Sequence, residues 1–557
     1  HSQCNLSPQE FTGNALRLME TENRAQLEVV SAAAKSSNAL VVLTGILPTL
    51  RKFDLELKNL TPKPRYLALI EAIKAQLKTD RGFELRLEGI DELFIRHDTP
   101  LMEACNTSYQ VHLQVTPDTF APLYNISQAV TAPILALAAN SPLVFGKRLW
   151  HESRIALFQQ ALDVRTTQDH MRQPEPRVSF GTDWLDASIL EIYKEDIARF
   201  RVLLGSHIDE SSLEMISKEK VPKLRALQIH NGTVYRWNRP CYGISDNGMP
   251  HLRIENRVIP AGPTVLDQVA NAAFWLGSVL GMAHEYKDIR KHLSFADVKD
   301  NFVKAAKFGI DTRLTWFNNK KISACDLVKE ELLPLARLGL QHRGIVSEDI
   351  DRYLGVIEER ANAQQTGARW LLKSFTQLGD EVNQDEGLTV ITSAMIKNQL
   401  SEKPVHEWEL PKADDLKAYR PVGLRVAEFM ETDLFTVHED DLLELVADVM
   451  DWRRLRYIPV ENGKGHLVGL ITTRKLLRYF IRKNRADAPE GAFTTVKDLM
   501  IKEPSTISPL ATIKDAMHLM RDGKLGCLPV VKDKELVGII TEMDFLRVSG
   551  RLIDRLK

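Results

Sequence analysis

Several common signals are scarce or missing in this 557-residue sequence. Its five cysteines lie far apart, at no spacing typical of a zinc motif or a disulfide framework, so we expect reduced thiols and a cytoplasmic protein. No apolar run has the uninterrupted length of a membrane span. The most apolar stretch, residues 121–145, contains asparagine, glutamine and proline and is interpreted as a buried helix and a loop. The cysteines are Cys4, Cys105, Cys241, Cys325 and Cys527.

An excess of charge and an N-terminal targeting signal are also missing. The chain has 73 Lys and Arg against 74 Asp and Glu, a net charge of −1, so nothing favours nucleic acid or an anionic membrane as a partner. It starts at His1 without a methionine or a signal-peptide pattern, and we expect that native upstream sequence is missing. Composition is that of a globular protein, and the length predicts several domains.

Two short runs alternate polar and apolar residues as β-strands do. Residues 108–115 read SYQVHLQV, and residues 251–258 read HLRIENRV. Because successive side chains of a strand point to opposite faces, each run gathers its polar residues on one face. A carboxylate between guanidiniums, with an imidazole and amides nearby, suits a site for a metal ion and a polyphosphate. The polar face comprises Gln110, His112 and Gln114 in the first run, and His251, Arg253, Glu255 and Arg257 in the second.

The C-terminal part of the chain contains an internal repeat, which is its clearest architectural signal. Three landmark segments recur after 70, 70 and 69 residues, in the same order and with similar residue types. Each repeat is predicted to form a helix, a strand, an amphipathic helix, two strands joined by a turn, and a final helix. The matching segments are 426–430 with 496–500, 457–460 with 527–530, and 467–472 with 536–541.

The repeat resembles a tandem pair of cystathionine-β-synthase-type (CBS) domains. In adenosine-binding members the last strand ends in GIITxxD, whose hydroxyl and carboxylate bind phosphate and ribose. The second repeat matches this pattern with Thr541 and Asp544, whereas the first has Lys475 where the aspartate is expected. The resemblance implies one site for AMP or another adenine nucleotide. A pair that only dimerises, or only packs on the preceding domain, stays an alternative.

Before the repeat, helices and strands mix without a regular β-α-β order. This favours an α+β fold with a largely antiparallel sheet, followed by an α/β CBS pair. The predicted domains are a catalytic domain at 1–400, a charged linker at 401–421, and CBS domains at 422–485 and 492–557. Predicted helices cover residues 13–37, 65–77, 209–225, 266–283 and 330–378, and a strand is predicted at 40–45.

Separated motifs occur in one order over about residues 6–378: TGILP (44–48) with Arg65 and Tyr66, QVH (110–112), NSP (140–142), Ser153 and Arg154, and HLRIENR (251–257) with PAGPT (260–264). This series resembles the glutamate–cysteine ligase family, in its bacterial carboxylate–amine ligase branch. The resemblance implies a fold similar to glutamine synthetase, in which a curved antiparallel sheet forms a funnel with ATP at one end. It also implies that ATP and Mg²⁺ are used to phosphorylate a carboxylate, typically the γ-carboxylate of glutamate, and that an amine attacks the acyl phosphate.

The same resemblance implies roles for residues on the two strands. Glu255 and His112 match metal ligands, and Arg257 and Arg253 would contact the ATP phosphates. Each residue also has a structural interpretation. The carboxylate and the arginines could simply pair with one another, and an imidazole between two apolar residues is often a half-buried histidine without a function.

Four further residues are candidates for substrate or nucleotide binding. Arg154, with Arg148 close by in sequence, matches the arginine that holds the carboxylate of the amino-acid substrate. Gln110 and Gln114 could orient the substrate or the nucleotide. For Arg154, capping a helix or lying between two domains is the structural alternative, and for the glutamines it is packing on the sheet face.

The chain departs from the family pattern in one respect. The family carries acidic metal ligands on its first strands, and residues 5–8 read NLSP without a matching glutamate. Magnesium held only by Glu255 and His112 would be bound weakly. We therefore carry three hypotheses: a ligase regulated by its CBS pair, a nucleotide-sensing protein whose ligase domain no longer turns over, and a phosphotransferase of the guanido-kinase type. A glutamate-like acid, an amine and a second copy of the chain are the expected partners.

Overall fold

The computed structural model divides the chain into two units. The first unit contains His1–Leu50, Asp54–Gln377 and Ile391–Pro411, and the second contains Arg51–Phe53, Leu378–Val390 and Lys412–Lys557. The structure describes residues 4–76, 83–97, 101–163, 176–205, 208, 210–379, 381–413, 415, 424–462, 465–483, 494–546 and 549.

Helices outnumber strands along the described chain. The α-helices are α1 (Ala15–Ser36), α2 (Pro64–Gln76), α3 (Leu101–Ala104), α4 (Pro117–Ala138), α5 (Ser153–Ala161), α6 (Ile189–Arg199), α7 (Ser212–Ser217), α8 (Arg225–Asn231), α9 (Val265–Glu285), α10 (Phe295–Phe308), α11 (Ala324–Leu327), α12 (Leu333–His342), α13 (Ser347–Ala363), α14 (Gly367–Leu378), α15 (Gln384–Leu400), α16 (Leu443–Trp452), α17 (Thr473–Lys483), α18 (Val496–Leu499) and α19 (Ile513–Gly523). The strands are β1 (Phe83–Glu88), β2 (Glu92–His97), β3 (Val111–Val115), β4 (Leu143–Val144), β5 (Lys147–Arg148), β6 (Val178–Ser179), β7 (Tyr235–Arg236), β8 (Asn238–Ile244), β9 (Pro250–Asn256), β10 (Arg313–Thr315), β11 (Lys321–Ser323), β12 (Val437–His438), β13 (Tyr457–Glu461), β14 (Leu467–Thr472), β15 (Ile501–Lys502), β16 (Cys527–Lys532) and β17 (Glu535–Thr541).

The first unit is built around a three-stranded antiparallel sheet in the order β3–β9–β8. Its apolar face, with Leu113 and Ile254, belongs to a large core that also takes in α4 and α9. Tyr124 of α4 donates a hydrogen bond of 3.0 Å to the Asn238 carbonyl, which ties the helix to β8. Among the described strand pairs of this unit, β6–β7 is parallel and the others are antiparallel. The α+β class is therefore confirmed.

Helix α4 is long and apolar enough to cross a membrane by length and composition. In the structure 94% of its most apolar 18-residue window is buried inside the protein. In a membrane-spanning helix the outward-facing side chains would contact lipid. Here α4 instead packs against α9, α10 and the sheet. This agrees with the sequence interpretation of residues 121–145 as a buried helix and a loop.

Helices α9 and α12 approach closely because two glycines of α9 leave room for the backbone of α12. A Cβ atom on Gly281 would lie 1.8 Å from the Leu335 carbonyl oxygen, and one on Gly277 would lie 2.6 Å from that of Ala336. Any larger residue would force the helices apart. The start of α9 is also fixed, since Thr264 accepts a hydrogen bond of 3.0 Å from the Asp267 amide.

Two local predictions are wrong, and both have a backbone explanation. Residues 40–45 form no strand, since the amide and carbonyl of Leu43 bond instead to the side chain of Gln399, at 3.0 and 2.7 Å. Of the helix predicted at 209–225, whose first residue lies outside the described residues, only α7 (Ser212–Ser217) and the first residue of α8 are helical, and Pro222 between them cannot continue a helix. The helices predicted at 13–37 and 266–283 are confirmed to within two residues at each end, and the helix predicted at 65–77 is confirmed over its described residues, 65–76.

In the second unit the two repeats interlock. The core around β13 and β14 includes Val496 and Met500, which belong to the second repeat. The core around β16 and β17 includes Val426 and Met430, which belong to the first. Each repeat therefore lends its N-terminal segment to the apolar core of the other, and neither core is completed by a single repeat.

A short segment from early in the chain is also part of the second unit. Phe53 packs on the core of the second repeat, and Lys532 donates a hydrogen bond of 3.0 Å to its carbonyl. Arg51 lies 3.0 Å from Asp385 and donates a hydrogen bond of 2.6 Å to the Ala427 carbonyl. Sequence reasoning assigned these residues to the catalytic domain, since a three-residue excursion leaves no pattern of its own.

Candidate functional site

Register places the predicted polar residues side by side on one face of the central sheet. His112 of β3 lies directly opposite Glu255 of β9, and Gln114 lies opposite Arg253. On the other side of β9, Arg239 lies opposite Glu255 and Cys241 opposite Arg253. Residues directly opposite one another share a face, so these side chains form a continuous polar surface. We call the following residues the sheet-face cluster: His112, Arg239, Cys241, Arg253, Glu255 and Arg257.

The sequence forms this arrangement through a tight hairpin between β8 and β9. The Ser245 amide donates to the Met249 carbonyl at 2.9 Å, and Gly248 adopts a positive φ of 83° that a side chain would disfavour. The connecting residues read SDNGM, and Asn-Gly is a frequent hairpin turn. On the first strand, Pro117 begins α4 immediately after β3, which fixes where that strand ends.

Glu255 lies at the centre of the cluster and is only 4% exposed. Its carboxylate oxygens lie 3.1 Å from Arg257 Nε and 3.9 Å from Arg239 Nη1, and Cys241 Sγ donates to Oε2 at 3.3 Å. Burial alone would raise the pKa of Glu255, but the charges of Arg257 and Arg239, helped by His112, outweigh it and lower the pKa. The carboxylate is therefore ionised at neutral pH.

His112 and Cys241 both favour their uncharged forms. Enclosure by the protein lowers the pKa of His112 despite the neighbouring Glu255, and Arg253, Arg257 and Arg239 lower it further. A neutral imidazole has a free nitrogen lone pair, as a metal ligand or a hydrogen-bond acceptor must. Burial, followed by the charge of Glu255, raises the pKa of the Cys241 thiol to about 12. Without a bound cation, Cys241 is thus a protonated hydrogen-bond donor.

Two arginines of the cluster retain unused donors. Within the described part of the chain, Arg253 Nε and Arg257 Nη1 are buried and have no hydrogen-bond partner. The Arg257 guanidinium lies 5.6 Å from the ring centroid of Tyr235 and 6.0 Å from that of Phe158, which hold its plane in position. Buried donors are nearly always satisfied in folded proteins, so these atoms are suited to an anionic ligand such as a phosphate.

Arg154 is placed differently. It is 3% exposed, and its Nε lies 2.7 Å from Glu152, whereas its Nη2 donates to the Val258 carbonyl at 2.5 Å. Glu152 also accepts hydrogen bonds from the Asn140 amide, at 2.9 Å, and from the Ser141 hydroxyl. Arg154 therefore joins segments within the first unit, and its role in holding a substrate carboxylate stays a prediction.

The remaining sequence candidates lie in separate settings. Arg148 forms a two-point salt bridge with Asp91, with distances of 3.0 and 2.9 Å, which ties β5 to the β1–β2 hairpin and leaves it outside the cluster. Gln110 precedes β3 and donates to the Ser108 hydroxyl at 3.3 Å. Gln114 is exposed opposite Arg253, so it is the glutamine positioned to meet a ligand at the sheet face.

Magnesium, which the family resemblance implies, is a poor match for the donor atoms of the cluster. His112, Cys241 and Glu255 offer ligand atoms that all lie within 4.8 Å of one another. Magnesium prefers several hard oxygen ligands in octahedral geometry, and this group supplies a single carboxylate that is already paired with Arg257. Within the described residues, the cluster therefore does not fit a magnesium ion.

Sequence reasoning missed Arg239 and Cys241, although a signal for them exists. Residues 238–244 read NRPCYGI, with Arg239 and Cys241 two positions apart, and the SDNGM turn follows directly. A hairpin through that turn pairs this segment with 250–256 and brings both residues to the face of Arg253 and Glu255. From the sequence alone Cys241 is one of five scattered thiols, and only the alternation on either side of Pro240 indicates its place on a strand.

In the CBS repeats, the corresponding residues make different contacts. The Asp544 carboxylate accepts hydrogen bonds from the amide and the hydroxyl of Thr541, at 2.7 and 2.8 Å. In the first repeat, Lys475 Nζ instead donates to the Leu499 carbonyl at 3.0 Å and to the Met500 carbonyl at 3.4 Å. Lys475 therefore donates hydrogen bonds to carbonyl groups at the C-terminal end of α18. At the matching position the second repeat has the carboxylate of Asp544 and the first repeat has an amine.

Comparisons with known proteins find relatives of the repeated part. A CBS domain-containing protein of Dictyostelium discoideum is 31% identical over 135 residues, which are 23% of this chain and 93% of that protein. An inosine-5'-monophosphate dehydrogenase of Korarchaeum cryptofilum is 34% identical over 22% of this chain, which spans only 24% of the dehydrogenase. The structure of CBSX2 of Arabidopsis thaliana in complex with AMP is 24% identical, with a TM-score of 0.21, and covers 23% of this chain and 98% of that one.

Family models account for both parts of the chain. The CBS domain model matches residues 426–482 and 496–551, in agreement with the repeat found in the sequence. The model of glutamate-cysteine ligase family 2 matches residues 4–392, which is more than half of the chain and includes the whole sheet-face cluster. The chain therefore belongs to glutamate-cysteine ligase family 2 and carries a C-terminal pair of CBS domains.

Proposed function

We propose that the chain is an ATP-dependent ligase that joins a carboxylate to an amine, forming a γ-glutamyl or similar amide through an acyl phosphate. The family membership supports a ligase, and the sheet-face cluster supports the use of a phosphorylated substrate. Phosphoryl transfer depends on positioning and charge neutralisation more than on a protein nucleophile. The cluster supplies those two properties through three arginines held on a rigid sheet.

The single observation that carries the proposal is the pair of unused arginine donors. Arg253 Nε and Arg257 Nη1 are buried beside the ionised Glu255, and they have no acceptor among the described residues. A triphosphate would supply those acceptors, and its negative charge would offset the excess of guanidinium groups. Glu255 keeps Arg257 oriented through a contact of 3.1 Å, so that arginine is positioned before the nucleotide arrives.

The reaction proceeds in two steps that conserve all atoms. A carboxylate oxygen of the acid attacks the γ-phosphorus of ATP, and the bond from that phosphorus to the bridging oxygen breaks, releasing ADP. The amine nitrogen then attacks the acyl carbon, the bond from carbon to the phosphate oxygen breaks, and phosphate leaves while the amine loses a proton. In both steps Arg253 and Arg257 donate hydrogen bonds to phosphate oxygens that gain negative charge.

The CBS pair supplies the regulatory part of the proposal. The hydroxyl of Thr541 and the carboxylate of Asp544 lie within hydrogen-bond distance of each other at the end of β17. They match the residues that bind phosphate and ribose in adenosine-binding CBS domains. We propose that an adenine nucleotide binds there and changes ligase activity.

The direct test is amine-dependent release of ADP by the purified full-length chain. With ATP, glutamate and a panel of amines, one amine is expected to increase ADP release, and Arg257→Gln is expected to abolish that increase. Arg343→Gln is the matched control, because Arg343 is an exposed arginine at the end of α12. Unchanged turnover in Arg257→Gln would contradict the assignment of the sheet face.

A nucleotide-sensing protein without ligase turnover is the second candidate. It is favoured by the donor set of the cluster, which contains a single carboxylate that is already paired with an arginine. This candidate predicts adenine-nucleotide binding that Asp544→Ala removes, together with no ADP release for any acid and amine. Amine-dependent turnover by the unmodified chain would exclude it.

A further inference from the structure

Three different donor atoms of the sheet-face cluster lie close enough together to hold one metal ion. The ligand atoms of His112, Cys241 and Glu255 are all within 4.8 Å of one another, and Cys241 Sγ lies 3.3 Å from Glu255 Oε2. Ligands bound to tetrahedral zinc at about 2.0–2.3 Å lie about 3.3–3.8 Å from each other. The sulfur and the carboxylate oxygen already have that separation, and the imidazole needs a shift of about 1 Å to reach it.

We propose that His112, Cys241 and Glu255 form a site for a borderline transition-metal ion of the zinc class, and that this site does not select magnesium. The inference deepens the proposed function, because it names the cation of the same sheet face. Sulfur and imidazole ligands select zinc-like ions, whereas magnesium requires hard oxygen ligands. Three protein ligands with an open fourth position are also the usual arrangement of zinc sites that contact a substrate.

The backbone gives the three ligands a fixed relationship. His112 and Glu255 are direct neighbours across β3 and β9, and Cys241 lies diagonally from Glu255 across β9 and β8. All three stand on strands of one sheet, where side-chain positions are more precise than on loops. A single ion would thus join the three strands on their polar face. Cys241 could not be replaced by serine in this role, whereas a hydrogen bond to Glu255 could be made equally well by a serine hydroxyl.

The surrounding arginines determine what occupies the open position. Arg239 and Arg257 lie 3.9 and 3.1 Å from Glu255, so a bare divalent cation would be repelled by two guanidiniums. An anionic oxygen on the metal, held also by the unused donors of Arg253 and Arg257, would offset this repulsion. The metal and a phosphate group should therefore bind cooperatively. When the ion binds, the Cys241 thiol proton is released to solvent, and a sulfur–metal bond forms in its place.

Cobalt(II) is the probe that tests this site without any ligase reaction. The full-length chain is stripped of metal with a chelator and titrated with Co²⁺, with and without inorganic phosphate. We expect one equivalent to produce a near-ultraviolet sulfur-to-cobalt charge-transfer band, and phosphate to tighten binding. Zn²⁺ should displace the cobalt stoichiometrically, and millimolar Mg²⁺ should not.

Three variants separate the proposed ligands from the other thiols. Cys241→Ser should lose the charge-transfer band, while Cys4→Ser, which changes an exposed thiol, should retain it. His112→Gln should keep the band and weaken Co²⁺ binding at least tenfold, since even outer-shell changes cost about 10–100-fold. Far-ultraviolet circular dichroism checks that each variant is folded. If Cys241→Ser does not fold, the Co²⁺ affinity of His112→Gln still tests the site, and unchanged affinity would overturn it.

The outcomes distinguish this inference from the proposed function. No band in the unmodified chain, a band that survives in Cys241→Ser, or displacement by Mg²⁺ would each overturn the metal site. If Mg²⁺ supports full amine-dependent ADP release in Cys241→Ser, the ligase proposal stands and the zinc-class site fails. If the cobalt band appears as expected and no amine increases ADP release, the metal site stands and the ligase proposal fails.

Discussion

Arg154 differs from Arg253 and Arg257 in how many of its hydrogen-bond donors find an acceptor, although all three belong to the first unit and carry the same charge. Arg154 is buried between Glu152 and the Val258 carbonyl, and its contacts are short. Arg253 and Arg257 stand on the sheet face with buried donor atoms that lack an acceptor among the described residues. The comparison shows that hydrogen-bond donors without an acceptor identify the arginines of a family motif that belong to a binding site. The position of an arginine in the motif does not identify it.

The largest expected effect is on stability, at the buried pair. Arg154→Met should lower the free energy of unfolding by about 3–5 kcal/mol, because it leaves the buried carboxylate of Glu152 without its oppositely charged partner. Tryptophan fluorescence during urea unfolding reports on the first unit, since the second contains only Trp452. Arg148→Met, at a partly exposed pair with Asp91, is the control and should cost about 0–1 kcal/mol. Equal losses would contradict the expected difference between the buried pair Arg154–Glu152 and the partly exposed pair Arg148–Asp91.

The next effect concerns the two CBS repeats, which carry residues of opposite charge, Lys475 and Asp544, at matching positions. Asp544→Ala should weaken binding of AMP about tenfold or more, which corresponds to about 1.4 kcal/mol, because it removes the carboxylate expected to meet the ribose. Lys475→Ala should leave affinity unchanged, since Lys475 bonds to the Leu499 and Met500 carbonyls. Isothermal calorimetry on the full-length chain measures both. A greater loss of AMP affinity in Lys475→Ala than in Asp544→Ala would mean that the nucleotide binds at the first repeat.

A smaller stability change is expected at the sheet face. Arg257→Gln should lower the free energy of unfolding by less than Arg154→Met does, because Arg239 remains 3.9 Å from the Glu255 carboxylate when the Arg257 contact is lost. The same urea experiment measures it alongside Arg154→Met. A loss as large as that of Arg154→Met would mean that Arg257 is structural, and the comparison would no longer hold.

The smallest effect is a pH dependence of Glu255. Its pKa is lowered in the folded protein, because Arg257 and Arg239 outweigh the opposing effect of burial. Its contribution to stability is therefore present above the unfolded value of about 4.3 and is lost as the pH falls through the folded pKa. Glu255→Gln should be less stable than the unmodified chain at neutral pH, and the gap should close in acid. A gap that is constant from pH 7 to pH 3 would contradict the lowered pKa.

The sequence predicted the elements of the fold better than their partners. Periodicity located α1, α2 and α9, and alternation located β3 and β9 together with the residues on their polar faces. It failed at residues 40–45, where the Gln399 side chain replaces a neighbouring strand, because a distant side chain leaves no local signal. The exchange of N-terminal segments between the repeats was also invisible, since a repeat shows what recurs and does not show where it packs.

The candidate site was predictable only where a local pattern, the alternation along β3 and β9, reveals its residues. The polar faces of β3 and β9 were found, and the structure brings His112 next to Glu255. Arg154 was assigned a substrate role from the motif, and only the positions of Glu152 and the Val258 carbonyl show that it is already paired. Cys241 required the register of a third strand, which depends on the hairpin turn and not on the residue type.

ATP binding at the sheet face tests the central claim most directly. Calorimetry is performed on the full-length chain in an Asp544→Ala background, which removes the proposed nucleotide site of the CBS pair. We expect ATP binding to remain in that background and to disappear when Arg257→Gln is added, while Arg343→Gln has no effect. Binding that is unchanged by Arg257→Gln would contradict the assignment of the sheet face as the phosphate site.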